Sequence, residues 1–167
     1  VAMGFSVTEE AMEDNLYDAL SARYTKALAR AMAYTKQVKA ASLLNTGFST
    51  FQSGDGVTLF NTAHPTVQGG NNSNRPTTAV DLNETSLEDA VINIAIPEGY
   101  RVNHYLTDTD AFFITTDVPN GMKHFVRTPM STSMDGDFDT GNVRYKARER
   151  YSFGVSDPLG IYGSPGA

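Results

Sequence analysis

The chain has 167 residues (18.1 kDa), of which 40% are hydrophobic, and it carries a formal net charge of -6 with a pI near 4.9. That length suits one domain with a modest core, and the acidic balance argues against holding nucleic acid through an overall positive field, though local basic patches stay open. With no cysteine, disulfides and thiolate metal sites are excluded, and neither an apolar run of about 18 residues nor a signal-like N-terminus marks the chain for membranes or secretion.

The apolar Val1-Ala2-Met3 leads toward a helix, and the start at Val1 reads as that of a fragment or a processed form. Ser6-Val7-Thr8-Glu9 has the form of a capping box, with Thr8 as the other candidate cap; Glu9, Glu10, Glu13 and Asp14 set negative charge at the positive end of a helix dipole. Met12, Leu16, Leu20, Tyr24, Ala27, Ala31, Tyr34, Val38 and Ala41 recur at spacings of three and four, predicting one helix from Thr8 to Asn45 with a continuous apolar stripe. Lys26, Arg30, Lys36 and Lys39 favour its C-terminal half and Gly47 supplies the stop. Such a helix, about 37 residues and on the order of 55 Å, outruns a compact globule of roughly 40 Å. Either the molecule is elongated or another chain covers part of the stripe, where Ala27, Ala31 and Ala41 permit close approach. Leu16, Leu20, Tyr24, Ala27, Ala31 and Tyr34 are therefore candidate subunit contacts.

Gly54-Asp55-Gly56 predicts a turn, and Val57 to Phe60 a short strand. From Asn61 to Val80 the chain reads as a loop, exposed from Gly69 to Pro76, with His64-Pro65 inside it. Thr85-Ser86-Leu87-Glu88 opens a short amphipathic helix, about residues 85–96, stopped by Pro97 and Gly99. Two strands, Ala111 to Thr116 and Met122 to Arg127, read as a hairpin around Pro119-Asn120-Gly121. The clearest strand is the last. Val143, Tyr145, Ala147, Glu149, Tyr151, Phe153 and Val155 alternate with Arg144, Lys146, Arg148, Arg150 and Ser152, giving one mostly apolar and one cationic face. The tail from Gly160 to Ala167 reads as extended or loosely ordered. The expected class is α+β, in two segments, 1–101 and 102–167.

Reactive chemistry has thin support. Asp135, Asp137 and Asp139 have the alternate spacing that opens a calcium loop, but Thr140 stands where glycine is needed and Lys146 where the bidentate glutamate belongs. His104 and Asp108, with His124 across the expected hairpin, permit a metal or acid-base site that would make the chain a metal-dependent enzyme. A glycan or small-ligand module using Tyr100, Tyr105 and the polar loop is a third reading. No G-x-S-x-G, phosphate loop or H-E-x-x-H occurs, and no cofactor is implied. Arg144, Lys146, Arg148 and Arg150 suit phosphate, or an acidic helix end such as Glu9 to Asp18 in the same or another subunit; the second is the preferred reading.

Three passages resemble the major capsid proteins of tailed double-stranded DNA bacteriophages, of the Hong Kong ninety-seven type. The phrase AMEDNLYDALSARYTKALARAMAYTKQVKAASLLNTGF resembles the spine helix of the peripheral domain. LFNTAHPTVQGGNNSNRPTTAVDLNETSLEDAV is similar to a loop and short helix of such head proteins. VNHYLTDTDAFFITTDVPNG through GDFDTGNVRYKARERYSFGVSDPLGIYGSPGA resembles their C-terminal strands. The family's N-terminal arm and extended loop have no counterpart after Val1, and its axial-domain segment is missing between Arg101 and Val102. The resemblance implies a virion shell subunit, assembled in the bacterial cytoplasm as pentamers and hexamers around packaged DNA, with scaffold, portal and decoration proteins as possible partners. It transfers no catalytic residue.

Overall fold

The computed structural model describes residues 1–14, 17–83, 102–116, 118–119 and 121–167. Helices and antiparallel strands are mixed, compatible with the α+β expectation. The chain forms two compact units, one of Val1–Val38 with Phe125–Ser152, the other of Lys39–His124 with Phe153–Ala167, so each draws on pieces far apart in sequence. The expected helix at 85–96, the Arg101–Val102 junction, Leu16 and Tyr100 lie wholly or partly outside the described residues.

In the first unit, Ala2–Val7 is strand β1, where the sequence suggested a lead into helix. Ser6 pairs with Arg144 in a sheet and caps nothing. Thr8 is the N-cap of α1, Glu9–Glu13, by backbone geometry alone, without a side-chain hydrogen bond. Asp14 closes α1, and α2 follows as Tyr17–Asn45. The expected single helix is thus described as two pieces, and α2, with 29 residues, is on the order of 43 Å long.

Two long strands complete this sheet: β5, Met122–Gly136, and β6, Val143–Val155, in the order β1-β6-β5. The connection 137–142 is too short for a crossover, so β5 and β6 form an antiparallel hairpin. Asp137 closes it, its amide donating to Asn142 O (2.8 Å) while its carboxylate accepts from Thr140 Oγ1 (2.8 Å) and Arg144. Pro129 fits within β5 because an edge strand has backbone donors to spare. Strand β6 keeps both its expected limits and its alternation: Ala147, Glu149 and Val155 are buried, whereas Arg144, Lys146, Arg148, Arg150 and Ser152 are exposed.

In the second unit, Leu43, Leu59, Phe60, Val155 and Ile161 form the core, flanked by Phe48, Phe51, Phe113 and Phe153. Phe60 stacks on Phe48 (4.5 Å between centroids) and tilts against Phe113 (5.2 Å). Two glycines make room for it, since a Cβ at Gly47 would fall 2.7 Å from the Phe60 ring and one at Gly163 2.8 Å. Gly47, expected as a helix stop, therefore serves close packing beyond the end of α2. Val57 to Phe60 is not a strand; it holds only the isolated bridge from Thr58 to Gln52, and burial of Leu59 and Phe60 explains its apolar content.

The expected hairpin of 111–116 with 122–127 does not form. Strand β4, Phe112–Thr115, pairs instead with β7, Ile161–Ser164, in the tail read as loose, and β5 joins the other sheet. That tail is buried from Gly160 to Ser164. Within the expected loop, β2, His64–Pro65, pairs with β3, Asn71–Asn72. Truncating the central ring, Phe60→Ala, is expected to lower the unfolding free energy by about 3–5 kcal/mol, read as the shift of a urea transition.

Candidate functional site

The largest coherent chemical feature is the exposed face of β6. Gly4 pairs with Lys146 and Ala2 with Arg148, so the neighbours on the β1 side are small. Gly4 has to be small, because a Cβ there would meet Tyr145 O at 2.5 Å. Among the described residues Lys146, Arg148 and Arg150 are in no ion pair, while Arg144 is held by Asp137.

The opposite face is covered. Phe5 stacks on Tyr145 (4.8 Å between centroids) and tilts against Tyr24 of α2 (5.5 Å). Glu149, nearly inaccessible on this face, is neutralised by Lys36 of α2, whose Nζ lies 2.7 Å from Oε2 and 5.2 Å from the centre of the Tyr151 ring. Glu149 Oε1 is buried without a hydrogen-bond partner. Burial and the adjacent Glu149 charge push the Tyr151 phenol above its usual value, with Lys36 opposing them.

The predicted contact stripe of α2 is only partly the buried one. Met32, Ala41 and Leu43 are buried and Leu20 and Ala31 half-buried, but Ala27 is exposed, as are Tyr24 (42%), Tyr34 (59%) and Val38 (39%). On β5, Val126, Met130 and Met134 are exposed as well.

A second polar cluster escaped the sequence reading. His64 is 2% exposed, and both of its ring nitrogens face oxygen acceptors: Nδ1 lies 2.6 Å from Asp55 Oδ2 and Nε2 3.1 Å from Asn74 Oδ1. Three further bonds fix the Asn74 amide, with Nδ2 donating to Leu59 O (2.7 Å) and Pro158 O (3.2 Å), and Oδ1 accepting from Asn61 N (2.9 Å). Burial pushes the Asp55 carboxyl up, but hydrogen bonds from Ser53 and His64, then from the Val57 amide, outweigh it and hold the carboxyl below its usual 3.8. Beside the cluster lies an open cleft of about 430 Å³. Because the His64 ring sits between Asp55 and Asn74, with a nitrogen within hydrogen-bond distance of each, the cluster acts as a tie between loops.

The other candidates do not converge. His124 stacks on Phe153 (4.8 Å), and His104 and Asp108 are exposed. Their proposed site relied on a hairpin that is not formed, and among the described residues no three His, Cys, Asp or Glu side chains are placed to hold a metal ion. Asp108 instead shares a hydrogen bond with Asp110, lowering the first carboxyl and raising the second. Asp137 is occupied in the β5–β6 connection, while Asp135 and Asp139 are exposed. Tyr105 is half-buried, its carbonyl accepting from Asn45 Nδ2 (3.1 Å). Among the described residues no helix is long and apolar enough to cross a membrane.

No protein-family model matches the sequence, and no curated protein matches it. A solved structure does. A chain of Mycobacterium phage Che8 superposes with a TM-score of 0.56 at 14% identity, over 98% of this chain and 69% of that one. The likeness is one of fold, to a phage protein.

Two predictions follow the two polar clusters. Lys36→Met leaves Glu149 buried and unpaired; we expect a loss of about 2 kcal/mol in urea unfolding, less than the 3–5 of a fully buried pair because Lys36 keeps part of its side chain in water. The folded-state Asp55 carboxyl is depressed, so its contribution is complete above the unfolded value of 3.8 and is lost as pH falls through the folded value. The Tm should fall as pH drops below about 4, more steeply than in Asp55→Asn, whose baseline stability is lower but whose acid limb is flatter.

Proposed function

We propose that this chain is a structural subunit of an icosahedral bacteriophage capsid, assembling into pentamers and hexamers around double-stranded DNA. The observation that carries the reading is the likeness of fold to a phage chain over 98% of this sequence, in line with the three passages that resemble head proteins. The exposed side chains of α2 and β5 and the open cationic face of β6 support it, since shell subunits bury such surfaces against neighbours. On this reading the packaged DNA meets the inner face without sequence recognition, and scaffold, portal and decoration proteins are further partners. The site of action is the virion, after assembly in the bacterial cytoplasm.

The reading assigns no catalytic step to the chain. Purified protein should sediment as large assemblies, and electron microscopy should show closed particles. A monomer under every salt, pH and concentration condition would remove the reading.

A further inference from the structure

The sequence leaves two destinations for an acidic helix end near the basic strand: within one subunit or between two. The described contacts of the first unit favour the second. Two contacts of α2 with the sheet, Lys36 to Glu149 and Tyr24 to Phe5, fall on the face opposite Lys146, Arg148 and Arg150. In the same chain the acidic start of α1 sits by the first residue of β6, because β1 ends at Val7 opposite Val143 and the Glu9 carboxylate occupies the space a Cβ on Gly141 would take. Arg150 is farther along β6 by about 23 Å at 3.3 Å per residue. Among the described residues none of the chain's own carboxylates forms an ion pair with Lys146, Arg148 or Arg150.

We propose that the cationic face of β6 receives the acidic start of α1 from a second copy of this chain. Glu9, Glu10, Glu13 and Asp14 are all exposed and, among the described residues, in no ion pair. Glu10 and Glu13, three apart on a helix, stand about 5–6 Å from each other. Cations at alternate strand positions repeat every 6.6 Å or so, so carboxylate and cation spacings match. Ala2 and Gly4 beside Arg148 and Lys146 leave a low shelf that a helix can approach. The pairing rests on the shell-subunit reading for its use, but it makes a separate claim about which surfaces meet.

The test uses the full chain in four forms: unsubstituted, Arg148→Glu with Arg150→Glu, Glu10→Lys with Glu13→Lys, and all four substitutions together. Circular dichroism confirms folding, sedimentation reads association, and electron microscopy reads particle form. Each charge-reversed pair should weaken association about tenfold or more at 0.15 M salt, and the fourfold exchange should restore it to within about threefold. Unsubstituted association should weaken toward 1 M salt, where the screening length shrinks from about 8 Å to about 3 Å. Association indifferent to the reversals, or lost and not restored by the exchange in folded protein, overturns the pairing. So does a β6 variant that associates normally but loses binding to a DNA duplex, which would make nucleic acid the occupant. Particles without charge dependence remove the pairing and keep the shell; charge-dependent association without closed particles does the reverse; a strict monomer removes both.

Discussion

A carboxylate buried on the central strand of a sheet has to be neutralised, and Glu149 sets that requirement for the first unit. Lys36 answers it at 2.7 Å, fixing which side of the sheet α2 occupies and bringing the helix against Tyr151. Once one side is covered, the period of two along β6 leaves Lys146, Arg148 and Arg150 on the other. The open surface is thus a consequence of the buried pair. A buried ion pair is weak evidence for net stability, but it discriminates strongly among packings, because sliding the helix would leave a charge alone.

The second unit solves a different problem with the same economy. Between Gly47 and Asn83 its described connection holds little regular structure beyond β2 and β3, so polar side chains satisfy backbone groups there. Asn74 alone engages Asn61, Leu59 and Pro158, and His64 joins it to Asp55. The contact of a histidine with an aspartate here is structural in character: His64 is 2% exposed, and the Asp55 oxygens already face Ser53, Val57 and His64.

What could be read from the sequence was what depends on local period. The thirteen residues of β6 and their two faces follow from strict alternation, and the end of α2 at Asn45 from the Gly47 stop just beyond it. The cationic half of the candidate site was legible for the same reason. Strand β1 was hidden because Ala2–Val7 is short, contains Gly4 and takes its partner from Val143–Arg148. The tail was misread because Gly163, which looks like disorder, is small to admit Phe60 and Phe113. The pairing of β4 with β7 and the His64 cluster join segments whose nearness no local pattern announces. The apolar stripe showed that α2 packs, but not which of its residues would be spent within the chain.

The pairing of β1 with β6 also sets a timetable. Ala2 is made well over a hundred residues before its partner Arg148, and the β4–β7 pair likewise waits for Ser164. Neither unit can close until its later piece has been made, Phe125–Ser152 for the first and Phe153–Ala167 for the second, so both are high in contact order and slow by that measure. During that interval α2 can form its backbone hydrogen bonds while its apolar side chains and unpaired strand edges stand open to any neighbour. The later strands β6 and β7 act as the latch that ends this exposure.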